Sequence, residues 1–292
     1  MSRIGIIGSG VVGSATGRGF QKLGHDVIFF DISKSRLKEL EKLGYKTANT
    51  LDETVSSTDV CFVCVNTPTK NGEQDLSQVL SVLYDLTSVI NNNDNYKLIV
   101  FRSTMLPGTI REVVINHFDK YCRGKRGVNY DICYNPEFLR QDTALDDFFR
   151  PDRVIIGEDR SGVSHALIKI YEELTNNIIV TSFEAAELIK YASNCFLSLK
   201  ISFFNEIGMM CRNLGIDDKI VSLGVSLDKR IGKYGTETGR PFDGMCLPKD
   251  TEALANFARR QSIEPDLLQV VLDINKKMED LTTKKVVRGL RE

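Results

Sequence analysis

Apolar residues come first in short unbroken runs and later at helical spacing, and that change organises the chain. Residues 3–7, 26–30, 60–65, 98–101, 130–134 and 153–157 are β-rich runs separated by helical or polar segments. Runs of this length, bounded by turn residues, predict strands buried on both faces. Their alternation with helices predicts an α/β fold with a doubly wound parallel sheet, whose ligands gather at the carboxyl ends of the strands. Thr181-Ser-Phe-Glu184 reads as a capping box that opens a helix over residues 183–214. Within it Ala186, Ile189, Ala192, Phe196 and Leu199 keep helical apolar spacing. Helical stretches over 251–260 and 265–290 close the chain. The expectation is an α/β domain over 1–180 and an α-helical central domain over 181–292.

The first run leads into Gly8-Ser-Gly10-Val-Val-Gly13, a helical pattern follows, and the second run ends at Asp31. A lone G-x-G-x-x-G says little. Here the strand before it, the helix after it and the acidic residue beyond are all present, which predicts a Rossmann domain. Gly8 serves the tight turn, Gly10 the approach of a pyrophosphate, and Gly13 the packing of helix on strand, with Val11 and Val12 completing the turn. Asp31 is placed to accept hydrogen bonds from a ribose and to repel a 2′-phosphate, which favours NAD over NADP. Polar sets follow three later strands: Asn66-Thr67-Pro68-Thr69, Arg102-Ser103-Thr104 and Asn135-Pro136-Glu137-Phe138-Leu139.

The second chemical signal is Gly239-Arg-Pro-Phe-Asp-Gly-Met-Cys246-Leu-Pro-Lys-Asp250-Thr. Pro248 suits a first helical position, which sets Cys246 at the positive end of a helix dipole with Lys249 nearby. Both effects favour a nucleophilic thiolate. Asp250, four residues on, shares that helical face and could order a water or move a proton. Lys190 and Asn194 also stand one turn apart, and beside a cysteine they would serve as donors to an oxyanion.

Composition narrows the function. Over 292 residues, 42% are hydrophobic and 26% charged, as in an ordinary globular protein with room for two domains. A net charge of −1 gives no electrostatic footprint for nucleic acid or an anionic membrane. Arg123-Gly-Lys125-Arg126 reads as a solvated loop. No apolar run approaches the roughly 20 residues of a membrane span, and the chain enters a strand at once with no leader pattern. Seven scattered cysteines do not read as a disulfide framework, and Cys61-Phe-Val-Cys64 falls inside a strand run. These features describe a cytoplasmic chain with reduced thiols and no metal site.

Taken in order, these blocks resemble the UDP-glucose/GDP-mannose dehydrogenases. The matching segments are Gly8–Gly13, Val65-Asn-Thr-Pro-Thr69, Ser103-Thr104 with Pro107-Gly108-Thr109, and Asn135-Pro-Glu-Phe-Leu-Arg140. They continue with Pro151-Asp-Arg-Val154, Ala186-Glu-Leu-Ile-Lys190-Tyr-Ala-Ser-Asn194, Ile201-Ser-Phe-Phe-Asn-Glu206 and Cys246-Leu-Pro-Lys-Asp-Thr251. The resemblance implies NAD-dependent oxidation of a sugar primary alcohol to a carboxylate on a nucleotide sugar, most simply UDP-glucose. It implies Cys246 as covalent nucleophile, Lys190 and Asn194 as oxyanion donors, Asp250 on the water, Glu137 assisting hydrolysis and Thr104 positioning water or cofactor. Arg36, Thr67, Ser103, Gln141 and Lys249 match cofactor positions. Phe138, Leu139 and Phe242 match positions lining the sugar, and Arg230 matches an arginine that reaches a neighbouring subunit's substrate. The C-terminal helix over 265–290 would join a homodimer.

Three departures qualify the resemblance. Asp243-Gly244 stands where relatives carry two glycines, with Met245 before the cysteine. Gln141 replaces a glutamate, keeping the hydrogen bonding without the base. The chain ends near the central helix, whereas relatives continue into a third, nucleotide-holding domain; without it the cleft is expected to be open on one side. Two other readings therefore stand beside the dehydrogenase: an NAD-binding homologue with little turnover that acts as scaffold or partner subunit, and a dehydrogenase for a smaller sugar or hydroxy acid.

Overall fold

The structure, a computed structural model, describes residues 1–93 and 95–289. Its strands are β1 (Arg3–Ile7), β2 (Asp26–Phe30), β3 (Lys46–Thr47), β4 (Val60–Val63), β5 (Thr69–Lys70), β6 (Glu73–Gln74), β7 (Lys97–Phe101), β8 (Tyr130–Tyr134), β9 (Val154–Gly157) and β10 (Ile178–Thr181). Its helices are α1 (Val11–Lys22), α2 (Lys34–Lys42), α3 (Leu51–Ser57), α4 (Ser77–Asn91), α5 (Asn116–Tyr121), α6 (Ala144–Phe149), α7 (His165–Tyr171), α8 (Phe183–Leu214), α9 (Asp218–Ser226), α10 (Leu247–Arg260) and α11 (Asp266–Gly289). A π-helical turn, Ile110–Ile115, runs directly into α5. The chain divides into two compact units: Met1–Pro68 with Asp75–Lys190, and Thr69–Gln74 with Tyr191–Glu292. The division falls inside α8, some ten residues beyond the point where strand runs give way to helical ones.

Eight strands of the first unit form one sheet in the order β10-β9-β8-β7-β4-β1-β2-β3. Neighbours are parallel except β8 and β9, which meet antiparallel through Tyr134 and Gly157. The expected doubly wound parallel sheet is present, with one antiparallel pairing towards an edge, where β10 is a strand beyond the expected runs. Its residues, Ile178-Ile-Val-Thr181, make an apolar run of only three and stay half-exposed in the sheet. Between β1 and β4 the strand order reverses, the place where such sheets leave a crevice for a ligand.

Alternate residues of the central strands feed two separate cores, as a period of two requires. Cys61, Val63, Ile99 and Phe101 point into one, and Val60, Phe62, Leu98 and Val100 into the other. Helix α1 rests close on this sheet because it carries glycine where β1 and β2 pass. A Cβ on Gly13 would lie 1.9 Å from the Gly8 carbonyl oxygen, and one on Gly17 would lie 2.4 Å from the Phe29 ring. Arg126 is not the solvated residue its loop suggested. Its guanidinium grips Asp159 through two bonds of 2.5 and 3.0 Å.

The cap of α8 lies in the first unit and is Ser182, whose hydroxyl accepts from Ala185 N–H at 3.2 Å. The predicted cap, Thr181, instead ends β10. Helix α10 begins at Leu247, four residues before the predicted stretch, and Pro248 lies in its first turn with Cys246 as the capping residue. Thr69–Gln74 folds as a hairpin over Asn71-Gly72, both with positive φ (52° and 75°). Asn-Gly between paired residues is the strongest short-range hairpin signal a sequence offers. Leu290, the last residue of the predicted C-terminal helix, lies outside the described residues.

Gly13→Ala is expected to force α1 off β1 at a cost of about 1–3 kcal/mol. Thermal unfolding should register it, at roughly 2–4 °C for each kcal/mol, together with weaker NAD binding. Unchanged values of both would show that the helix has room to move.

Candidate active site

Helix α1 offers an anion its bare end. Its capping residue is Gly10, no side chain caps it, and its first turn holds no acidic residue. A Cβ on Gly10 would meet nothing within 4 Å, so the approach to these N–H groups is open. Gly8, at φ +91°, makes the turn that aims the helix. A pyrophosphate fits such an end by dipole and by donor geometry. Val11, 42% exposed, lies beside this opening. With Arg18, Gln141 and Asp142, among others, it lines a groove of about 410 Å³.

Asp31, at the end of β2, is 6% exposed. One of its oxygens accepts from Ser9 N–H at 2.7 Å and the other from Ser33 N–H at 2.8 Å, while Arg36 stands 3.5 Å away. Each oxygen has lone-pair capacity for a ribose hydroxyl as well. The residues present therefore fit a dinucleotide: free amides for the pyrophosphate, and an anchored carboxylate for the ribose. At the ends of β4 and β7 two polar loops are tied together. Thr67 donates to the Thr104 carbonyl at 2.7 Å, and Ser103 to the Val65 carbonyl at 2.6 Å.

Beyond β8 the chain places Glu137, 5% exposed, against Lys190, 2% exposed. The Lys190 ammonium donates to the Glu137 carbonyl at 2.6 Å and to its carboxylate at 3.0 Å, and Leu139 N–H donates to the second carboxylate oxygen at 2.5 Å. Burial pushes the Glu137 carboxyl up, but Lys190, the Leu139 amide and the nearby Arg102 outweigh it and leave it below the usual range. Arg102 is itself buried and donates to Asn135 at 2.5 Å and to Thr16 at 3.0 Å. Phe138, half-buried, has the Arg153 guanidinium 4.0 Å over its ring and the Lys190 ammonium at 5.3 Å.

In the second unit Cys246 is half-buried at the N-terminus of α10. Asp250, one turn on, is fully buried. Its two carboxylate oxygens each take one donor: Asn194 Nδ2 at 2.6 Å and Lys249 Nζ at 2.5 Å. The Cys195 thiol faces the Asp250 carbonyl at 3.8 Å, and Thr251 meets Ser198 at 2.9 Å. The start of α10 is thereby fastened to α8. Thr69 adds a bond to the Lys249 carbonyl at 3.2 Å.

Two predicted residues stand differently from the rest. Arg230, its side chain 88% exposed, is folded back on Asp228 through bonds of 2.6–3.3 Å. Phe242 is 2% exposed and packs inside its unit. Sequence reasoning passed over Glu187, which is fully buried and accepts from Gly108 N–H and Ile110 N–H, both at 2.7 Å. It joins α8 to the turn after Ser103-Thr104. Its position one turn before Lys190 on the same helix was the available signal.

Residues 41–175 match the NAD binding domain of the UDP-glucose/GDP-mannose dehydrogenase family, and residues 184–277 match that family's central domain. Residues 3–77 also match a model described as NADP oxidoreductase, coenzyme F420-dependent. A UDP-glucose 6-dehydrogenase of Rickettsia bellii is 34% identical, over 99% of this chain and 70% of its own length. A GDP-mannose 6-dehydrogenase of Pseudomonas savastanoi is 36% identical, over 94% and 68%. Among solved structures, a UDP-glucose dehydrogenase from Pyrobaculum islandicum superposes with a TM-score of 0.91 at 33% identity, covering 99% of this chain and 71% of that one.

Burial pushes the Glu187 carboxyl from 4.5 up to about 8, against the pull of its two amide donors. The folded chain therefore holds this proton more tightly than the unfolded one. Its contribution to stability is complete below pH 4.5 and is lost as pH rises through about 8. Relative to Glu187→Gln, the melting temperature of the unaltered chain should fall between about pH 5 and pH 8 and run parallel above. Parallel curves throughout would show that Glu187 is ionised across the range.

Proposed function

The chain belongs to the UDP-glucose/GDP-mannose dehydrogenase family, and from that premise we propose that it oxidises the primary alcohol of a nucleotide sugar to a carboxylate, with UDP-glucose the first substrate to test. NAD is the cofactor of this family's first domain. Bound there, NAD would supply the hydride acceptor, one molecule for each of two successive two-electron oxidations. Gly8, Gly10, Val11, Val12 and Gly13 give it a helix end, Asp31 and Arg36 the ribose side, and Thr67, Ser103, Thr104, Gln141 and Lys249 further contacts.

In this reading the Cys246 thiolate adds to the aldehyde carbon left by the first oxidation. A C–S bond forms and the carbonyl oxygen becomes an oxyanion. Lys190 and Asn194 stabilise that oxyanion. The second oxidation leaves a thioester on Cys246. Water then attacks its carbonyl carbon, the C–S bond breaks, and the acid departs as the thiolate is restored. Asp250 orders this water, and Glu137, kept as a carboxylate, takes up its proton. Thr104 positions water or cofactor, while Phe138, Leu139 and Phe242 shape the sugar pocket. Arg230 serves a substrate in a second copy, and α11 joins the two copies of a cytoplasmic dimer.

One observation carries the reading. Asp250 is fully buried directly behind Cys246, with each carboxylate oxygen engaged by a different donor. Burying a charge is costly unless it is paired, and this one is placed one helical turn from a thiol. For localisation, no helix among the described residues is long and apolar enough to cross a membrane.

NADH formation with UDP-glucose, GDP-mannose and UDP-N-acetylmannosamine tests the proposal. Two NADH should appear per sugar consumed. Cys246→Ala should lower the rate by about three orders of magnitude or more, and Lys190→Ala by about two to three. Undiminished turnover in Cys246→Ala would end the covalent reading. NAD binding without turnover on any sugar would favour the non-catalytic homologue.

A further inference from the structure

Between α9 and α10 the chain runs from residue 227 to Cys246 with no helix or strand of its own. Apart from turn bonds such as those of Ile231 and Gly232 N–H to the Asp228 carbonyl, its buried peptide groups need partners from outside the segment. Two buried amides supply them. Asn205 on α8 is fully buried; its oxygen accepts from Gly239 N–H at 2.7 Å and its nitrogen donates to the Arg240 carbonyl at 2.6 Å. Asn275 on α11 is 5% exposed and pairs both polar groups of one residue, accepting from Phe242 N–H at 2.7 Å and donating to the Phe242 carbonyl at 3.0 Å. Its nitrogen also reaches Glu279 at 3.1 Å. An amide is the one side chain that carries donor and acceptor side by side, as a peptide does.

These clamps hold the chain immediately upstream of the proposed nucleophile. Only Asp243, Gly244 and Met245 separate Phe242 from Cys246, four steps of chain that span about 14 Å at most. Downstream, Asn194 and Ser198 fasten the first turn of α10. Further back, Lys200 donates to the Ile231 and Gly232 carbonyls at 2.5 and 3.0 Å. The thiol thus sits between two anchored points, one of them made by Asn205 and Asn275, to which sequence reasoning assigned no role.

We propose that Asn205 and Asn275 are positioning residues for Cys246: they fix the path of the chain into the helix end, and so the place of the sulfur. This rests on Cys246 being the nucleophile. Neither amide need touch the substrate. Removing one leaves two peptide groups of the loop without their partners, and the loss should appear at the thiol rather than at the cofactor.

The test uses the full chain with Asn205→Ala and Asn275→Ala. Asn275→Asp is included because it keeps the size of the side chain while setting a carboxylate against the Phe242 carbonyl. Three quantities are read: NAD affinity, kcat and KM for the nucleotide sugar, and the rate at which iodoacetamide alkylates the Cys246 peptide, followed by mass spectrometry. The expected result is a loss of about tenfold or more in kcat/KM for the sugar, with an alkylation rate altered several-fold and NAD affinity unchanged. Variants with the kcat, KM and alkylation rate of the unaltered chain would overturn the proposal. So would loss of NAD affinity in Asn275→Asp in step with the other two, since that is a general folding defect. If the unaltered chain itself yields no NADH from any sugar, the proposed function fails separately. Alkylation then decides the clamp alone: an altered rate supports it and an unchanged rate sinks it.

Discussion

A polar group taken out of water has to be matched at once, and among the described residues α8 carries more buried polar side chains than any other element. Along its length Glu187, Lys190, Asn194, Ser198 and Asn205 are all buried, and between them they engage four segments, Asn194 and Ser198 sharing the first turn of α10. Removing one partner of a buried ion pair such as Glu137 with Lys190 typically costs about 3–5 kcal/mol. A one-turn slip of this helix would break several such matches together. The helix is therefore held in register by its polar face, while its apolar residues supply area without choosing the register. Chemistry-bearing residues placed on it inherit that fixity.

The two units use the same physical device for different ends. Each presents a helix N-terminus whose first N–H groups have no intrahelical partner. In the first unit the sequence leaves that end bare at Gly10, with open space before it, and it suits a diffusible anion. In the second the helix end is given to Cys246, with Asp250 buried one turn behind it. There the charge the helix end would favour is a thiolate that belongs to the chain. A dinucleotide arrives and leaves, whereas a nucleophile must stay in place, and the second end is accordingly the more heavily fastened.

Glycine decides how closely backbones approach in the first unit. At Gly13 and Gly17 the space for a side chain is already occupied by β1 and β2 or their side chains. This close seating of α1 lets the turn at Gly8 deliver the helix end to the sheet edge where β1 and β4 part. The loops after β4 and β7, joined through Thr67 and Ser103, stand at the carboxyl ends of neighbouring strands in the same sheet.

Much of this was determined by sequence alone, because the signals are local. Unbroken apolar runs gave the central strands, G-x-G-x-x-G with its flanking elements gave the cofactor cradle, and Pro248 beyond Cys246 gave a helix end beside a thiol. Local chemistry also set errors: Thr181 and Ser182 are both capable caps, and only the pairing of residue 181 into β10 decided between them. The antiparallel edge at β9 and the strand β10 depended on pairing between segments far apart in the chain. The same holds for Glu187 on the amides of Gly108 and Ile110, and for Asn205 and Asn275 on the cysteine loop. A buried amide or carboxylate looks in sequence like any solvated polar residue. Only tertiary structure brings its partner, because the desolvation that makes the pairing obligatory exists only once the chain has folded.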